Sequence, residues 1–294
     1  MTLLEAMDDP NLFRPWFKNP KDWIAWRVFI AALFGLKLDA TQQDIFRQYT
    51  QRSTSPNKPV REGWLVIGRR GGKSFALGLI AVFIACFHDY RRFLAPGERA
   101  TVMIIAADRK QARVIFRFIR GFLHNVPMLK AMIERETQDT FDLINFVTIE
   151  VAAASAKRTR GYACPVILCD EIAHWQTDDD AADPDVTILE ALRPSQAQFP
   201  NSMLLCASSP YAKRGAMWEA YKRHFGKDDP NILVWNAPTC AMNATRDVAA
   251  FVAQKYEDDP ISAAAEYGAE FRSDISAFVD PAVVASATIR QGRL

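Results

Sequence analysis

The stretch Gly63–Ser74, GWLVIGRRGGKS, leaves the chain few options. A run of strand character passes through a glycine-rich turn and enters FALGLIAVFIACF, Phe75–Phe87. Those thirteen residues are apolar on every side but fall short of the about 20 that span a bilayer, so they read as a buried helix. A helix without a polar face must be covered all round. A strand feeding such a helix through a tight turn is half of a parallel unit, and further strands are expected beside it.

The rest of the chain supplies them. ATVMIIAA (Ala100–Ala107) reads as a strand, followed by the helix DRKQARVIFRFIRGFLHNV with Asp108 as its N-cap. A helical stretch is expected near PMLKAMIERE, an alternating strand at FVTIEVAAAS, a short apolar strand at PVILCDE and another at NSMLLCASSP. Upstream, WIAWRVFIAALFGL and TQQDIFRQYTQR read as two helices closed by the loop STSPNKP. From Thr245, RDVAAFVAQKYEDDPISAAAEYGAEFRSD reads as two short helices broken at Asp259-Pro260, and the last twenty residues as a connector. Strands separated by helices predict an α/β fold, a mostly parallel sheet flanked by helices. Ligands in such sheets sit at the carboxyl ends of the strands. The expected divisions are an N-terminal helical segment over 1–57, a core over 58–244 and a helical lid and linker over 245–294.

Composition narrows the partners. Across 294 residues the formal net charge is only +2, so attraction to a polyanion must come from local clusters. Five scattered cysteines without a CxxC pair, and four dispersed histidines, point to a reducing cytosol and away from structural zinc. The opening MTLLEAMDDPNLF lacks the basic and apolar regions of a secretory signal.

The glycine turn nearly matches the phosphate-loop pattern GxxxxGK[ST], except that Ile67 stands where the first glycine belongs. Gly68, Arg69, Arg70, Gly71, Gly72, Lys73 and Ser74 remain, between a strand and a helix as the pattern requires. Small residues let backbone N–H groups approach phosphates, and the helix N-terminus favours anions. Lys73 would reach the terminal phosphates and Ser74 would hold magnesium. PVILCDEIAHW complements this turn: Asp170 ends an apolar strand in the position of a magnesium ligand. Glu171 is placed to polarise an attacking water. Ser208 and Ser209, ending MLLCASS, can hydrogen-bond that water or the γ-phosphate, or simply open a turn.

Ahead of the acidic strand, KRTRGYACP carries Lys157, Arg158 and Arg160, which could stabilise a transferring phosphoryl group, contact DNA phosphates or stay solvated. Three other clusters have plainer readings. QTDDDAADPD is a solvated acidic loop. Arg113, Arg117 and Arg120 follow helical spacing as an exposed face with DNA contact as the alternative, and Trp16, Trp23 and Trp26 belong to a core.

Taken together, DATQQDIF, GRRGGKS, TVMIIAADRKQA, KRTRGYACPVILCDEIAHW and LLCASSPYAKRG, in this order, resemble the large terminase subunit, the DNA-packaging ATPase of tailed bacteriophages. Members of that family often lack the first loop glycine and carry arginine inside the loop. The resemblance implies a RecA/ASCE-like P-loop NTPase fold with N-terminal helices and a small C-terminal helical lid. It implies ATP and Mg2+ as cofactors, with Gln43 or Gln42 contacting adenine and Arg69 or Arg70 sensing the γ-phosphate. Asp170 and Ser74 become the metal ligands, Glu171 the catalytic carboxylate, and Ser208 and Ser209 the coupling motif. Arg160 resembles an arginine finger offered to a neighbouring subunit, with Arg158 as the second choice.

The implied partners are double-stranded DNA, the portal protein, the small terminase subunit and further copies in a packaging ring, with a monomer as the form expected in isolation and no membrane. The implied location is the host cytoplasm, at the procapsid portal. The family's nuclease domain has no counterpart in this sequence, where Asp274 and Asp280 do not make a two-metal site, so an isolated motor domain without nuclease activity is expected. Two rivals stand beside this reading. One is a DEAH-like helicase lobe suggested by DEIAH, and the other a portal scaffold that binds ATP without turnover.

Overall fold

The computed structural model describes residues 1–154, 161–175 and 184–272. Helices α1 (Leu3–Asp8), α2 (Ile24–Leu33) and α3 (Ala40–Thr50) precede the first strand, β1 (Glu62–Ile67). Then come α4 (Lys73–Phe87), β2 (Ala100–Ala106), α5 (Arg109–Asn125) and α6 (Pro127–Lys130). A compact run of strands follows, β3 (Ile133–Glu136), β4 (Thr140–Leu143), β5 (Val147–Ala153) and β6 (Ala163–Asp170). The chain continues through α7 (Pro184–Leu192), β7 (Met203–Ser208), α8 (Gly215–His224) and β8 (Ile232–Ala237). It closes with α9 (Thr239–Met242), α10 (Arg246–Asp258) and α11 (Pro260–Glu266).

The strands form one sheet in the order β3-β4-β5-β2-β6-β7-β1-β8. From β5 to β8 every pairing is parallel, whereas β4 runs antiparallel to both β3 and β5. The expected fold class, a mostly parallel sheet flanked by helices, is therefore the observed one. β1 and the acidic strand β6 are not neighbours, because β7 lies between them. Register places Val66 beside Ser208 and Ala207 beside Asp170, so three strand ends finish level. That alignment builds the site.

The core lies on both faces of the sheet. Leu65, Ile67, Ile104, Leu168, Leu205 and Trp235 pack with the N-terminal helices, α4 and α5. The alternate residues Trp64, Val66, Ile105, Ile167, Cys206 and Val234 pack with α7 and α8. Covering both faces is why these strands read as unbroken apolar runs. Each fully buried aliphatic side chain contributes about 1.5–3 kcal/mol, so the strand ends are rigidly fixed. Helix α4 is buried along most of its length, as its all-round apolar sequence requires.

One expected helix is different in the structure. PMLKAMIERE is helical only over Pro127–Lys130, and Ile133–Glu136 forms the edge strand β3. Its two glutamates meet partners on other elements: Arg99 binds Glu134 at 3.1 Å, and Arg120 and His124 bind Glu136 at 2.5 and 2.8 Å. Such ion pairs and a charged, exposed edge suit a terminal strand, and tertiary context overrides the helical propensity of the segment. Strands β4 and β8 lie outside those expected from sequence; β4 has four residues, too few for periodicity to register.

Candidate functional site

At the end of β1 the backbone turns through Gly68–Gly72 and enters α4 at Lys73. Two residues of this turn are left-handed, Arg70 with φ 65° and Gly72 with φ 86°. Arg70 carries a side chain there against the usual preference, which stores strain at the turn. Gly68 is required by contact: a Cβ would meet Thr239 Oγ1 at 2.3 Å and the Tyr267 carbonyl at 2.5 Å. The turn is further pinned by Trp26, whose indole Nε1 donates to the Gly71 carbonyl at 2.9 Å. Trp26 is core, as expected, but its polar edge also holds the loop.

Lys73 is 5% exposed and points back into the turn. Its Nζ donates to the Ile67 carbonyl at 3.1 Å and the Gly68 carbonyl at 3.5 Å, and lies 3.4 Å from Glu171 Oε1. Ser74 Oγ donates to Asp170 Oδ2 at 3.2 Å. The other oxygen of Asp170, Oδ1, is buried with no hydrogen-bond partner. Burial, and then the charge of Glu171, pushes the Asp170 carboxyl up to about 7. A buried carboxylate is costly unless paired or bound to metal, so a divalent cation fits this orphaned oxygen.

Glu171 adopts φ 50°, a left-handed kink at the strand end that turns its carboxylate across β7. Ser208 Oγ and the Ser209 amide donate to Glu171 Oε2 at 3.1 and 3.3 Å. Burial pushes Glu171 up, but the Lys73 ammonium, His174 and these two hydrogen bonds outweigh it and hold the pKa below its ordinary value. The neighbouring acids are thus driven apart, one toward neutrality and one firmly ionised. His174 Nε2 sits 3.3 Å from Ser209 Oγ, and burial lowers its pKa. His174 was not among the expected site residues, although it closes the run DEIAH three residues after Glu171; the structure sets it on a 3-10 turn.

The C-terminal helices reach the turn as well. Arg69 Nε pairs with Glu266 Oε2 at 2.7 Å, and the Arg69 amide donates to the Glu266 carbonyl at 2.6 Å. Thr239 Oγ1 donates to the Arg69 carbonyl at 2.7 Å and Asn243 Nδ2 to the Arg70 carbonyl at 2.9 Å. Nothing in the sequence singled out Thr239, Asn243 or Glu266, because the contacts join residues about 170 positions apart or more, such as Thr239 to Arg69 and Asn243 to Arg70. The two glutamines of α3 differ. Gln42 is occupied in a capping box, its side-chain oxygen accepting from the Asp39 amide at 3.0 Å. Gln43 Nε2 instead donates to Ser55 Oγ at 2.9 Å, in the loop before β1. Lys157, Arg158, Arg160 and residues 176–183 of the acidic stretch lie outside the described residues, as do Asp274 and Asp280. The end of that stretch is not a solvated loop: Pro184 and Asp185 open α7, and Asp185 is buried because its carboxylate accepts from the Ala216 amide at 2.7 Å.

The strand ends thus gather a backbone turn open to anions, a buried ammonium, an acid with a vacant oxygen and a second acid held as carboxylate. This set can bind a polyphosphate with a divalent cation and orient a water toward it.

Residues 16–269 match the family described as "Uncharacterized protein MJ0330, N-terminal P-loop domain". No curated protein sequence matches the chain. Among solved structures, the HK97 bacteriophage large terminase is similar with a TM-score of 0.59 and 18% identity, over 89% of this chain and 58% of that one. The ATPase domain of the Thermus phage P74-26 large terminase is similar at 0.54 and 19%, over 83% of this chain and 98% of that one. The large terminase of a thermophilic bacteriophage in complex with ADP follows at 0.51 and 12%, over 75% and 50%. The chain thus spans little more than half of the HK97 protein, and at these identities the likeness is one of fold. No helix among the described residues is long and apolar enough to cross a membrane.

Proposed function

This chain belongs to the family of the MJ0330 N-terminal P-loop domain, and on that premise we propose that it is the ATPase motor domain of a viral large terminase, hydrolysing ATP to drive double-stranded DNA into a procapsid. The observation that carries the reading is the paired state of the two acids. Asp170 has a buried oxygen without a partner, and Glu171 beside it is held ionised by Lys73, Ser208 and Ser209. The fold likeness to three large terminases supports the choice of motor class, and one of those was solved with ADP.

The mechanism follows from the chain's own groups. The phosphates of ATP replace the Ile67 and Gly68 carbonyls as acceptors for Lys73, and the amides of the turn and the start of α4 hold them. Ser74 and Asp170 would hold magnesium, which when bound neutralises charge on the phosphates. Freed from Lys73, Glu171 keeps its two donors at the end of β7 and orients the attacking water as general base. Arg69 or Arg70 senses the γ-phosphate; for Arg69 this means leaving Glu266, which links the nucleotide to α11. Ser208 and Ser209 report the state of Glu171 to the rest of the sheet. Gln43, rather than the capping Gln42, is the residue offered to adenine. Arg160, or Arg158, acts as the finger toward a neighbouring subunit in a ring. The portal protein and the small terminase subunit are the proposed assembly partners, at the procapsid in the host cytoplasm.

Phosphate release from ATP, measured for the wild type and for Glu171→Ala with and without duplex DNA, tests the reading. The expected result is turnover that falls by about 100-fold or more in the variant. Equal, negligible rates in both proteins would leave a nucleotide-binding scaffold and sink the motor.

A further inference from the structure

Helix α5 breaks the rules for a solvated helix. Its seventeen residues, RKQARVIFRFIRGFLHN, hold five Lys or Arg and no Asp or Glu. Acids are favoured in the first helical turn and cations disfavoured there, yet this helix opens Arg109-Lys110 with no acid in that turn. Arg113 and Arg117 stand four apart, a like-charge spacing that weakens a helix, and Arg117 and Arg120 add a second such pair.

Several surface arginines on other helices or turns have an acid close by in sequence, which α5 lacks along its length. Arg47 pairs with Asp44, Arg91 with Asp89 and Arg223 with Glu219. On α5, Arg120 pairs with an acid, Glu136 at 2.5 Å. Among the described residues Lys110, Arg113 and Arg117 are exposed and have no ion pair, and they share one helical face. Val114 and Phe118, 43% and 37% exposed, lie within the same row. The opposite side of the helix is anchored through Ile115, Ile119, Phe122 and Leu123, so the row is rigid. The N-cap Asp108 and the Arg120–Glu136 pair offset part of this charge, but the row of Lys110, Arg113 and Arg117 is left unpaired on a rigid face, which points to a compensating partner outside the molecule.

We infer that the face of α5 bearing Lys110, Arg113 and Arg117 is a docking surface for the phosphate backbone of duplex DNA. The choice of occupant rests on the motor reading above and on charge complementarity. The row spans about 10 Å along the helix, against about 3.4 Å of axis per phosphate on one strand, so its three cations match two or three neighbouring phosphates. Guanidinium groups bind phosphate through paired N–H donors, without reading bases. The surface therefore grips DNA of any sequence, as a translocating enzyme needs. It lies outside the glycine turn and the acids, and its loss leaves nucleotide binding intact.

The test is fluorescence anisotropy of a labelled duplex of arbitrary sequence, titrated with the 294-residue chain at several salt concentrations. Lys110→Gln/Arg113→Gln/Arg117→Gln is compared with wild type and with Arg47→Gln/Arg91→Gln, which removes two paired arginines elsewhere. The expected result is at least a tenfold weaker Kd for the triple variant, with the salt slope reduced by about 1 for each lost phosphate contact and unchanged ATP affinity. The control pair should match wild type. The inference is overturned if wild type binds no duplex, if the triple variant keeps the wild-type slope, or if the control pair loses as much. Phosphate release from the same proteins separates the two proposals: a lowered slope without ATP turnover keeps the surface and removes the motor.

Discussion

The two ends of the sheet treat charge in opposite ways. At the antiparallel edge, acids sit partly exposed and are met by partners: Glu134 and Asp142 by Arg99, Glu136 by Arg120 and His124, and Asp142 also by the Thr148 hydroxyl. At the ends of β1, β6 and β7, Lys73 and Asp170 are buried, one carboxylate oxygen has no partner, and Arg70 and Glu171 sit in left-handed backbone. The edge is built for folding and the site against it. The difference teaches where stability and activity reside: the apolar faces of the sheet carry the first, and the strained strand ends hold polar groups ready for a ligand.

Two substitutions test that division from opposite sides. Lys73→Met removes the buried ammonium and should lower phosphate release by about 100-fold or more, while costing about 1–3 kcal/mol of stability, since Glu171 loses its counter-charge but keeps Ser208 and the Ser209 amide as donors. Phe141→Ala at the other end empties a fully buried position stacked on Phe116 at 4.8 Å. It should cost about 3–5 kcal/mol in denaturant melts yet leave turnover per folded molecule unchanged. If Phe141→Ala slowed turnover, or Lys73→Met unfolded the chain, the two ends would not be separable.

A smaller effect sits at their junction. Trp26→Phe keeps the packing in α2 but leaves the Gly71 carbonyl without its donor, at about 1–3 kcal/mol. Nucleotide affinity should fall along with the melting point, because the same hydrogen bond serves core and turn. A loss of stability with unchanged affinity would confine Trp26 to the core.

The smallest effect concerns a charge outside both ends. Asp228 receives hydrogen bonds from Ser53 and Thr54 and pairs with Arg52, and the Ser53 bond first of all holds its pKa down to about 2 from 3.8. With the folded value depressed, its contribution is full above about pH 4 and disappears as pH falls through about 2. Asp228→Asn should therefore flatten the acid side of the stability curve between those values and leave turnover at neutral pH alone. An unchanged acid slope would remove Asp228 from the account.

Much of the site was legible because its chemistry needs residues close together in sequence. Gly68–Ser74 and Asp170-Glu171 each form a local unit, and a strand must deliver each to the same edge. Glu266, Thr239 and Asn243 were illegible, since a single carboxylate, hydroxyl or amide acquires meaning only when folding sets it against the turn. Gln42 and Gln43 show the same limit within one helix. Adjacent and chemically identical, they are separated by which one meets the capping Asp39.

The sequence by itself determined the sheet's parallel centre, through strands apolar on both faces joined by helices, and it determined the two motifs at their ends. The order of the strands was decided only by tertiary structure. Inserting β7 between β1 and β6 sets Ser208 level with Val66 and beside the strand that ends in Asp170. Hydrophobic patterning says which residues are buried but not which strand lies next to which, since every such strand presents the same apolar faces. The edge strand β3 was decided the same way, by ion pairs whose partners are far away in the chain.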